Sequence, residues 1–235
     1  MTNQELARTF RSLGTAPIAD ATVRLGLEFR TGPAGLLPVT EGVRVAGRAL
    51  PVRHAGSVDV FFEAMERAHE GDVLVIDNEG LTDEGCIGDL TVLEAVSAKI
   101  AALVVWGTHR DTRYLHEIGL PVWSLGRCPY GPRRARERDA RALESARVGD
   151  VLVTASDLVF ADEDGLVFVD AQHERDVLRE AAIIVERERA QAELARTGTN
   201  LREQLQFATY LERRAKDPSL TFRAFLQEVA GAIET

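Results

Sequence analysis

The feature that most constrains the fold is a pair of short apolar runs in the middle of the chain. Residues 72–77 (DVLVID) are typical of a short strand, and residues 101–106 (AALVVW) of a strand buried on both faces. Between them, residues 89–99 place apolar side chains at helical spacing. Strand, helix and strand in this order predict parallel strands joined by a right-handed crossover, and therefore an α/β fold.

The rest of the first 170 residues predicts further strands and helices around this unit. We expect helices over 4–13, over 18–27 with Asp20 as N-cap, over 58–70 with Ser57 as N-cap, and over 112–118. We expect strands over 43–52 with a bulge near Gly47, and over 121–124, 151–154, 158–161 and 166–169. The Gly- and acid-rich residues 78–88, the turn-rich residues 32–38 and residues 107–111 are predicted to be loops.

The last part of the chain has a different composition. From Ala171 it is helical in pattern and rich in Glu, Arg and Ala, with breaks predicted at residues 197–200 and at Asp217-Pro218. The sequence therefore predicts a core of residues 1–170 and a C-terminal helical extension of residues 171–235.

Charge and composition exclude several classes of protein. The net charge of −9 argues against general binding of nucleic acid, because a negative surface repels phosphates. No apolar run reaches the ~20 residues that a membrane helix needs, and residues 1–13 lack a signal-peptide pattern, so a cytoplasmic protein is expected. Cys86 and Cys128 lie in no CxxC pair, which predicts neither a zinc site nor a disulfide framework.

An Arg-rich stretch at residues 127–147 leaves two interpretations open. Acidic residues are interleaved with the arginines, which favours a solvated segment with local ion pairs. The alternative is a patch that binds anions.

The two central strands end in polar residues that could form a site. The first leads through Gly88 into the helix that begins near Asp89, and the N-terminus of a helix suits a carboxylate. The second presents Arg110 and Asp111. His109 is expected to be a partly exposed loop residue, with a position that supports the site residues as the alternative. The crossover should bring the ends together, because ligands of open α/β sheets bind beyond the carboxyl ends of strands. Asp89 and Asp111 would then serve a hard cation or proton transfer, although an exposed Arg–Asp ion pair is the simpler alternative.

The spacing of these residues resembles a known family. Asp89, twenty residues and then Arg110-Asp111 form the D-x20-R-D pattern of the RraA-like family, which includes the class II 4-hydroxy-4-methyl-2-oxoglutarate / 4-carboxy-4-hydroxy-2-oxoadipate aldolases. Further segments resemble family blocks in order over residues 15–170. They are RVAGRAL (44–50), GDVLVID (71–77), GDL (88–90), ALVVWGTHRD (102–111), EIGLPVW (117–123) and SDLVFADEDGLVFV (156–169).

The resemblance implies a fold, an activity and a role for each residue of the motif. The fold would be a compact layered sandwich of β-sheets and helices, assembled as a homotrimer or hexamer with sites between subunits. The activity would be retro-aldol cleavage or β-decarboxylation of a small 2-keto acid, with release of pyruvate. Asp111 would bind Mg²⁺ or Mn²⁺ directly, and Asp89 would act in proton transfer through a water at the metal. The pyruvate portion would contact Arg110 and the backbone of Gly88, Asp89, Leu90 and Thr91.

Other functions within the family remain alternatives. Some members are regulators that bind and inhibit the endonuclease RNase E, and those regulators lack the metal-binding Asp, so Asp111 favours the enzyme. A third possibility is an enzyme acting on another 2-keto or hydroxy acid. Tyr114 stands where the family often has an acidic residue, which leaves the exact substrate open.

The scarcity of lysine bears on mechanism. An aldolase that lacks a metal forms a Schiff base on a lysine, and that lysine must be largely neutral. Only Lys99 and Lys216 are available, and neither is expected near the strand ends. The sequence therefore predicts the metal-dependent route.

Overall fold

The structure is a computed structural model that describes residues 1–132 and 137–229. By their internal contacts these residues form two compact units, Met1–Leu178 and a second unit that begins at Arg179. Arg133, Arg134 and Arg136 of the Arg-rich stretch lie outside the described residues. No helix among the described residues has both the length and the apolar composition needed to cross a membrane.

Among the described residues, the first unit contains nine strands and begins with two helices. The strands are β1 (Leu37–Pro38), β2 (Val45–Arg53), β3 (Val73–Ile87), β4 (Ala102–His109), β5 (Val122–Ser124), β6 (Ser145–Val148), β7 (Val151–Thr154), β8 (Asp157–Asp162) and β9 (Gly165–Asp170). Its helices are α1 (Asn3–Phe10), α2 (Thr15–Arg24), α3 (Asp59–Met65), α4 (Asp89–Ser97) and α5 (Thr112–Ile118), and a short 3-10 turn covers Ala171–His173.

Seven of the strands form one mixed sheet in the order β1-β5-β4-β3-β2-β8-β9. The four central strands β5, β4, β3 and β2 are parallel, whereas β1, β8 and β9 pair antiparallel with their neighbours. Strands β6 and β7 form a separate hairpin. The parallel centre follows from the strand–helix–strand order along the chain.

Alternate residues of the central strands enter two different cores. Leu74, Ile76 and Leu103 face helices α3, α4 and α5 in one apolar cluster, whereas Val73 and Val75 face the β6–β7 hairpin and the antiparallel strands in another. This two-sided burial explains why the runs at 72–77 and 101–106 are continuously apolar. The layers of helices, sheet and hairpin confirm the predicted α/β sandwich.

Several predicted boundaries were wrong, for identifiable reasons. Residues 78–87 are extended chain within β3, paired irregularly with β4, although their Gly and acidic residues predicted a loop. Helix α2 is capped at Gly14 instead of Asp20, and α3 starts after Val58 without a cap bond from Ser57 and ends at Met65. Strands β1 and β6 were not predicted, because each is too short to show periodicity.

Gly47 does not form the predicted bulge. It allows the backbone at Gly71 to approach β2 closely. The register of β2 with β8 runs unbroken through Gly47 and Val159. A Cβ atom at Gly47 would lie 2.2 Å from the carbonyl oxygen of Gly71, so only glycine fits there.

The helices at the C-terminal end follow the predicted breaks. Helix α6 (Glu174–Arg196) starts in the first unit and continues into the second, where it is followed by α7 (Leu201–Gln204), α8 (Phe207–Lys216) and α9 (Phe222–Glu228). The second unit has a small apolar cluster of its own around Tyr210 and Phe225. Arg213 lies over the Phe225 ring, 5.5 Å from its centroid, and Arg214 lies over the Tyr210 ring, 5.3 Å from its centroid.

Candidate functional site

The ends of β3 and β4 lie side by side and bring the polar residues together. His109, the last residue of β4, pairs in register with Ile87, the last residue of β3. The backbone N–H of Arg110 donates to the carbonyl oxygen of Ile87 at 2.9 Å. Gly88, which follows β3, is therefore held next to Arg110 and Asp111, which follow β4.

Gly88 and Asp111 are in close contact. A Cβ atom at Gly88 would lie 2.3 Å from Asp111 Oδ2 and 3.1 Å from Arg110 Nε. The space that a side chain would fill at position 88 is thus occupied by the charged groups of the Arg–Asp pair. Since Gly88 is the N-cap of α4, the carboxylate of Asp111 lies at the N-terminus of that helix.

The first turn of α4 has backbone donors outside the helical hydrogen-bond ladder. The ladder begins with Val92 N–H, which donates to the Gly88 carbonyl at 3.1 Å, so the N–H groups of residues 89–91 have no carbonyl within the helix. The N–H of Leu90 donates to Asp89 Oδ1 at 2.8 Å. Leu90 is 75% exposed and Thr91 is buried. Four of the five residues predicted to contact substrate, Gly88 to Thr91, form the N-cap and first turn of α4.

Arg110 and Asp111 form a weak ion pair that leaves both groups accessible. The distance from Arg110 Nε to Asp111 Oδ2 is 3.3 Å, and the two side chains are 45% and 33% exposed. The contact uses the inner nitrogen of the guanidinium and one oxygen of the carboxylate. The outer face of the guanidinium and the second oxygen remain for a ligand.

The backbone of Asp111 is left-handed, with φ of +58°. Asp111 is the N-cap of α5, yet its side chain accepts no hydrogen bond from the first turn of that helix. An aspartate at this position normally caps its own helix. Here the left-handed backbone turns the carboxylate toward Gly88 instead, and such local strain is typical of functional positions.

His109 is buried, so the prediction of a partly exposed loop histidine was wrong. It is the last residue of β4, and its ring nitrogens bond Ser124 Oγ at 2.7 Å and Thr112 Oγ1 at 3.0 Å. Burial, with a smaller effect from the charge of Arg127, lowers the pKa of His109. A neutral ring therefore ties the strand end to β5 and to the first turn of α5, which steadies the two residues that follow it.

The segment that closes the other side of Arg110 belongs to the Arg-rich stretch of residues 127–147, and the sequence did not predict its contacts. The N–H of Gly85 donates to the Tyr130 carbonyl at 2.5 Å, and the N–H of Cys128 donates to the His109 carbonyl at 2.8 Å. A Cβ atom at Gly131 would lie 2.8 Å from Arg110 Nη1. Only a run of Gly and Pro marks this segment in the sequence, and such a run indicates a loop without indicating its neighbours.

The residues present limit what kind of metal site could form. Among the described residues, no group of three or more His, Cys, Asp or Glu side chains is placed to hold a metal ion. Tyr114, which replaces the acidic residue that the RraA-like family often has at this position, is 52% exposed. One direct carboxylate, with water and substrate oxygens as the other ligands, is a coordination that Mg²⁺ accepts. Asp111 fits that role because its carboxylate is accessible and adjoins the carboxylate-binding turn of α4.

A separate cavity of about 500 Å³ lies at the end of β2 and does not include these residues. Two of its charged side chains have partners within the protein. Arg53 donates to Asp139 Oδ2 at 2.7 Å and to the Ser145 carbonyl at 3.1 Å. Asp77 accepts from the backbone N–H of Glu79 at 2.9 Å and of Arg147 at 3.0 Å. These contacts tie the end of β2 and the chain around Asp77 to residues 139–147.

Comparison with known proteins points to one family. The family model described as "RraA-like: Aldolase/RraA" matches residues 15–168, more than half of the chain. A protein of Halalkalibacterium halodurans, provisionally named 4-hydroxy-4-methyl-2-oxoglutarate aldolase, is 30% identical over 173 residues, which cover 73% of this chain and 80% of that protein.

Solved structures show the same fold. Streptomyces coelicolor RraAS2, described as an unusual member of the RNase ES inhibitor RraA protein family, superposes with a TM-score of 0.70 at 27% identity, over 84% of this chain and 99% of that one. An uncharacterized protein from Pseudomonas syringae pv. tomato superposes with a TM-score of 0.72 at 23% identity, over 86% of this chain and 97% of that one.

Proposed function

Because the chain belongs to the RraA-like family, we propose that it is a divalent-metal-dependent lyase. The reaction is retro-aldol cleavage, or β-decarboxylation, of a 2-keto acid such as 4-hydroxy-4-methyl-2-oxoglutarate, and the product is pyruvate. The protein of H. halodurans, which is named for that aldolase activity, supports the choice.

One observation carries the proposal. The absent side chain of Gly88 leaves room for Asp111 Oδ2, 2.3 Å from where a Cβ atom would lie, and for Arg110 Nε at 3.1 Å. A carboxylate, a guanidinium and a helix N-terminus thereby share one small volume. Those three groups suit a metal ion, the carboxylate of a 2-keto acid and the charge that develops during cleavage.

Each residue has a defined task in this reaction. Asp111 would hold Mg²⁺ or Mn²⁺, which stabilises the enolate charge on the keto oxygen when bound. Arg110 and the N–H groups of Asp89 and Thr91, which lie outside the helical ladder, bind the carboxylate of the substrate and orient its scissile bond. Asp89, at the same helix N-terminus, accepts or returns the proton that moves during cleavage and during protonation of the pyruvate enolate.

The two lysines do not support a Schiff-base mechanism. Lys99 follows the C-cap of α4, Ala98, which lies about 15 Å from Gly88 at 1.5 Å per helical residue. The ammonium group of Lys99 forms an exposed ion pair with Glu70 at 3.1 Å. Lys216 is the last residue of α8 in the second unit and is exposed.

The proposal extends to the assembly. We expect a homotrimer or hexamer in the cytoplasm, without nucleic-acid or membrane partners. The exposed apolar side chains of Leu90, Leu93 and Val96 on α4 adjoin the site and would be covered by a second copy. Light scattering that shows a monomer at micromolar concentration would contradict this assembly.

Removal of the metal tests the reaction class. Purified protein is treated with EDTA, dialysed and assayed for pyruvate release from oxaloacetate and from 4-hydroxy-4-methyl-2-oxoglutarate. Activity should be lost with EDTA and restored by Mg²⁺ or Mn²⁺, whereas borohydride with pyruvate should leave it intact. Undiminished turnover in EDTA, or pyruvate trapped covalently on Lys99, would show that the proposed mechanism is wrong.

A regulator of RNase E is the second candidate, favoured by the similarity to RraAS2 over 84% of the chain. This function predicts that the purified protein slows RNase E cleavage of an RNA substrate and binds the endonuclease. Inhibition that is undiminished in an Asp111→Asn variant, together with absence of pyruvate release from both substrates, would favour the regulator over the enzyme.

A further inference from the structure

Three glycines from two segments of the chain lie against the side chain of Arg110. A Cβ atom at Gly85 would lie 3.0 Å from Arg110 Cβ, and one at Gly88 would lie 3.2 Å from Cγ and 3.1 Å from Nε. A Cβ atom at Gly131 would lie 2.8 Å from Nη1 at the tip of the guanidinium. Backbone therefore lies along the arginine side chain from Cβ to the guanidinium, with Gly131 next to the outer nitrogen Nη1.

The environment of Gly131 makes it different from the other two glycines. Among the described residues, apart from its two neighbours in the chain, only Nη1 and Cζ of Arg110 lie within 4 Å of its Cβ position. At Gly85 the nearest atom is the Cys128 carbonyl oxygen at 2.7 Å, so a side chain there would also strain the backbone. Gly131 does not have the positive φ that disfavours other residues. A methyl group at position 131 would therefore displace the guanidinium and leave the fold intact.

Within the part of the chain that the structure describes, one ion pair holds the guanidinium. This pair, to Asp111 Oδ2, involves Nε at 3.3 Å and leaves the outer nitrogens unrestrained by that bond. The side chain is 45% exposed. The backbone at Gly131 lies so near that an added Cβ would be 2.8 Å from Nη1, so it limits the position of Nη1 on that side.

We propose that Gly131 is a positioning residue for Arg110, and that its missing side chain sets where the guanidinium meets the carboxylate of the substrate. The kinetic consequence rests on the proposed lyase function, whereas the structural consequence does not. To reach a normal contact of about 3.5 Å from a methyl group, Nη1 must move by roughly 0.7 Å. A shift of that size disturbs a two-pronged contact with a carboxylate.

The structural test compares Gly131→Ala with Gly35→Ala. Gly35 is the matched control, because its Cβ would meet only Leu125 Cδ2 at 3.7 Å and its φ is not positive. Correlation spectra of arginine Nε–Hε groups report on the guanidinium directly, and the Arg110 signal is assigned by its loss in Arg110→Lys. The signal should shift in Gly131→Ala and stay unchanged in Gly35→Ala, with equal melting temperatures. An unmoved signal, or a Gly131→Ala protein that does not fold, would overturn the inference.

The kinetic test uses oxaloacetate with Mg²⁺. Gly131→Ala should raise KM about tenfold with kcat within about twofold, because Arg110 binds the same carboxylate in the ground and transition states. In an Arg110→Lys background the same substitution should add no further rise in KM, and an added rise would contradict action through Arg110. If the wild-type protein releases no pyruvate, the lyase proposal fails while the spectroscopic result still decides the role of Gly131.

Discussion

Two charged regions lie near the carboxyl ends of the parallel strands, and they differ in how their charges are used. In the cavity at the end of β2, Arg53 bonds Asp139 and Ser145, and Asp77 accepts two backbone N–H groups. Beside Gly88, the one ion pair between Arg110 and Asp111 is 3.3 Å long and both side chains are accessible. In the cavity, therefore, Arg53 and Asp77 already have partners within the protein, whereas the groups beside Gly88 remain accessible.

The difference shows that the presence of a cavity does not by itself identify a functional site. A ligand gains little from a guanidinium or carboxylate whose bonds are already made within the protein, because those bonds must first be broken. The groups beside Gly88 can bind without such a loss. Their exposure and the strained backbone of Asp111 are what a ligand-binding site requires, whereas the network at Arg53 and Asp77 is what a stable strand end requires.

The largest effect on kcat/KM is expected when one aspartate in each region is replaced by asparagine. Asp111→Asn should lower kcat/KM with Mg²⁺ by about 100-fold or more, because the loss of several kcal/mol of charge stabilisation corresponds to that factor. Asparagine tolerates the left-handed backbone, so the fold should be unaffected. Asp139→Asn, the matched change in the cavity, should leave kcat/KM within about twofold. Reversed results would place the reaction in the cavity.

A smaller effect is expected from replacing each arginine by lysine. Arg110→Lys should raise KM about 10- to 100-fold, since an ammonium cannot reproduce the planar contact with a carboxylate and such charged hydrogen bonds contribute about 1.5–3 kcal/mol. Arg53→Lys should leave KM unchanged and should lower the free energy of unfolding instead. Steady-state kinetics and denaturant unfolding measure the two changes. Equal KM values for Arg110→Lys and the wild type would show that Arg110 does not bind the substrate carboxylate.

The smallest effect is expected from Asp77→Asn, and it concerns stability. The carboxylate accepts from the backbone N–H groups of Glu79 and Arg147 with separate oxygens, whereas an amide offers only one acceptor. The free energy of unfolding should fall by about 1–2 kcal/mol. The melting temperature should then fall by roughly 2–8 °C, at about 2–4 °C per kcal/mol for a chain of this size. Activity per folded molecule should be unchanged, and its loss would show that the cavity takes part in catalysis.

Much of the architecture could be predicted because it depends on local patterns. The apolar runs at 72–77 and 101–106 predicted the central strands, and the spacing at 89–99 predicted α4. Residues 78–87 could not be predicted as strand, since their Gly and acidic residues favour turns and only pairing with β4 holds them extended. The prediction that His109 is partly exposed was wrong for a similar reason. Whether β4 ends before or after this residue depends on its partners in β3 and β5.

The site likewise has features that local sequence predicts and features that only tertiary contacts decide. The amino-acid sequence by itself determined which residues follow the two strands, because the order Gly88-Asp89 and Arg110-Asp111 at a spacing of twenty residues is a local property and carries the resemblance to the family. Only the tertiary structure decided that Asp111 turns its carboxylate toward Gly88, and that Gly131 limits the tip of Arg110. Contacts between residues far apart in the chain depend on the packing of whole strands and loops, which no local pattern encodes.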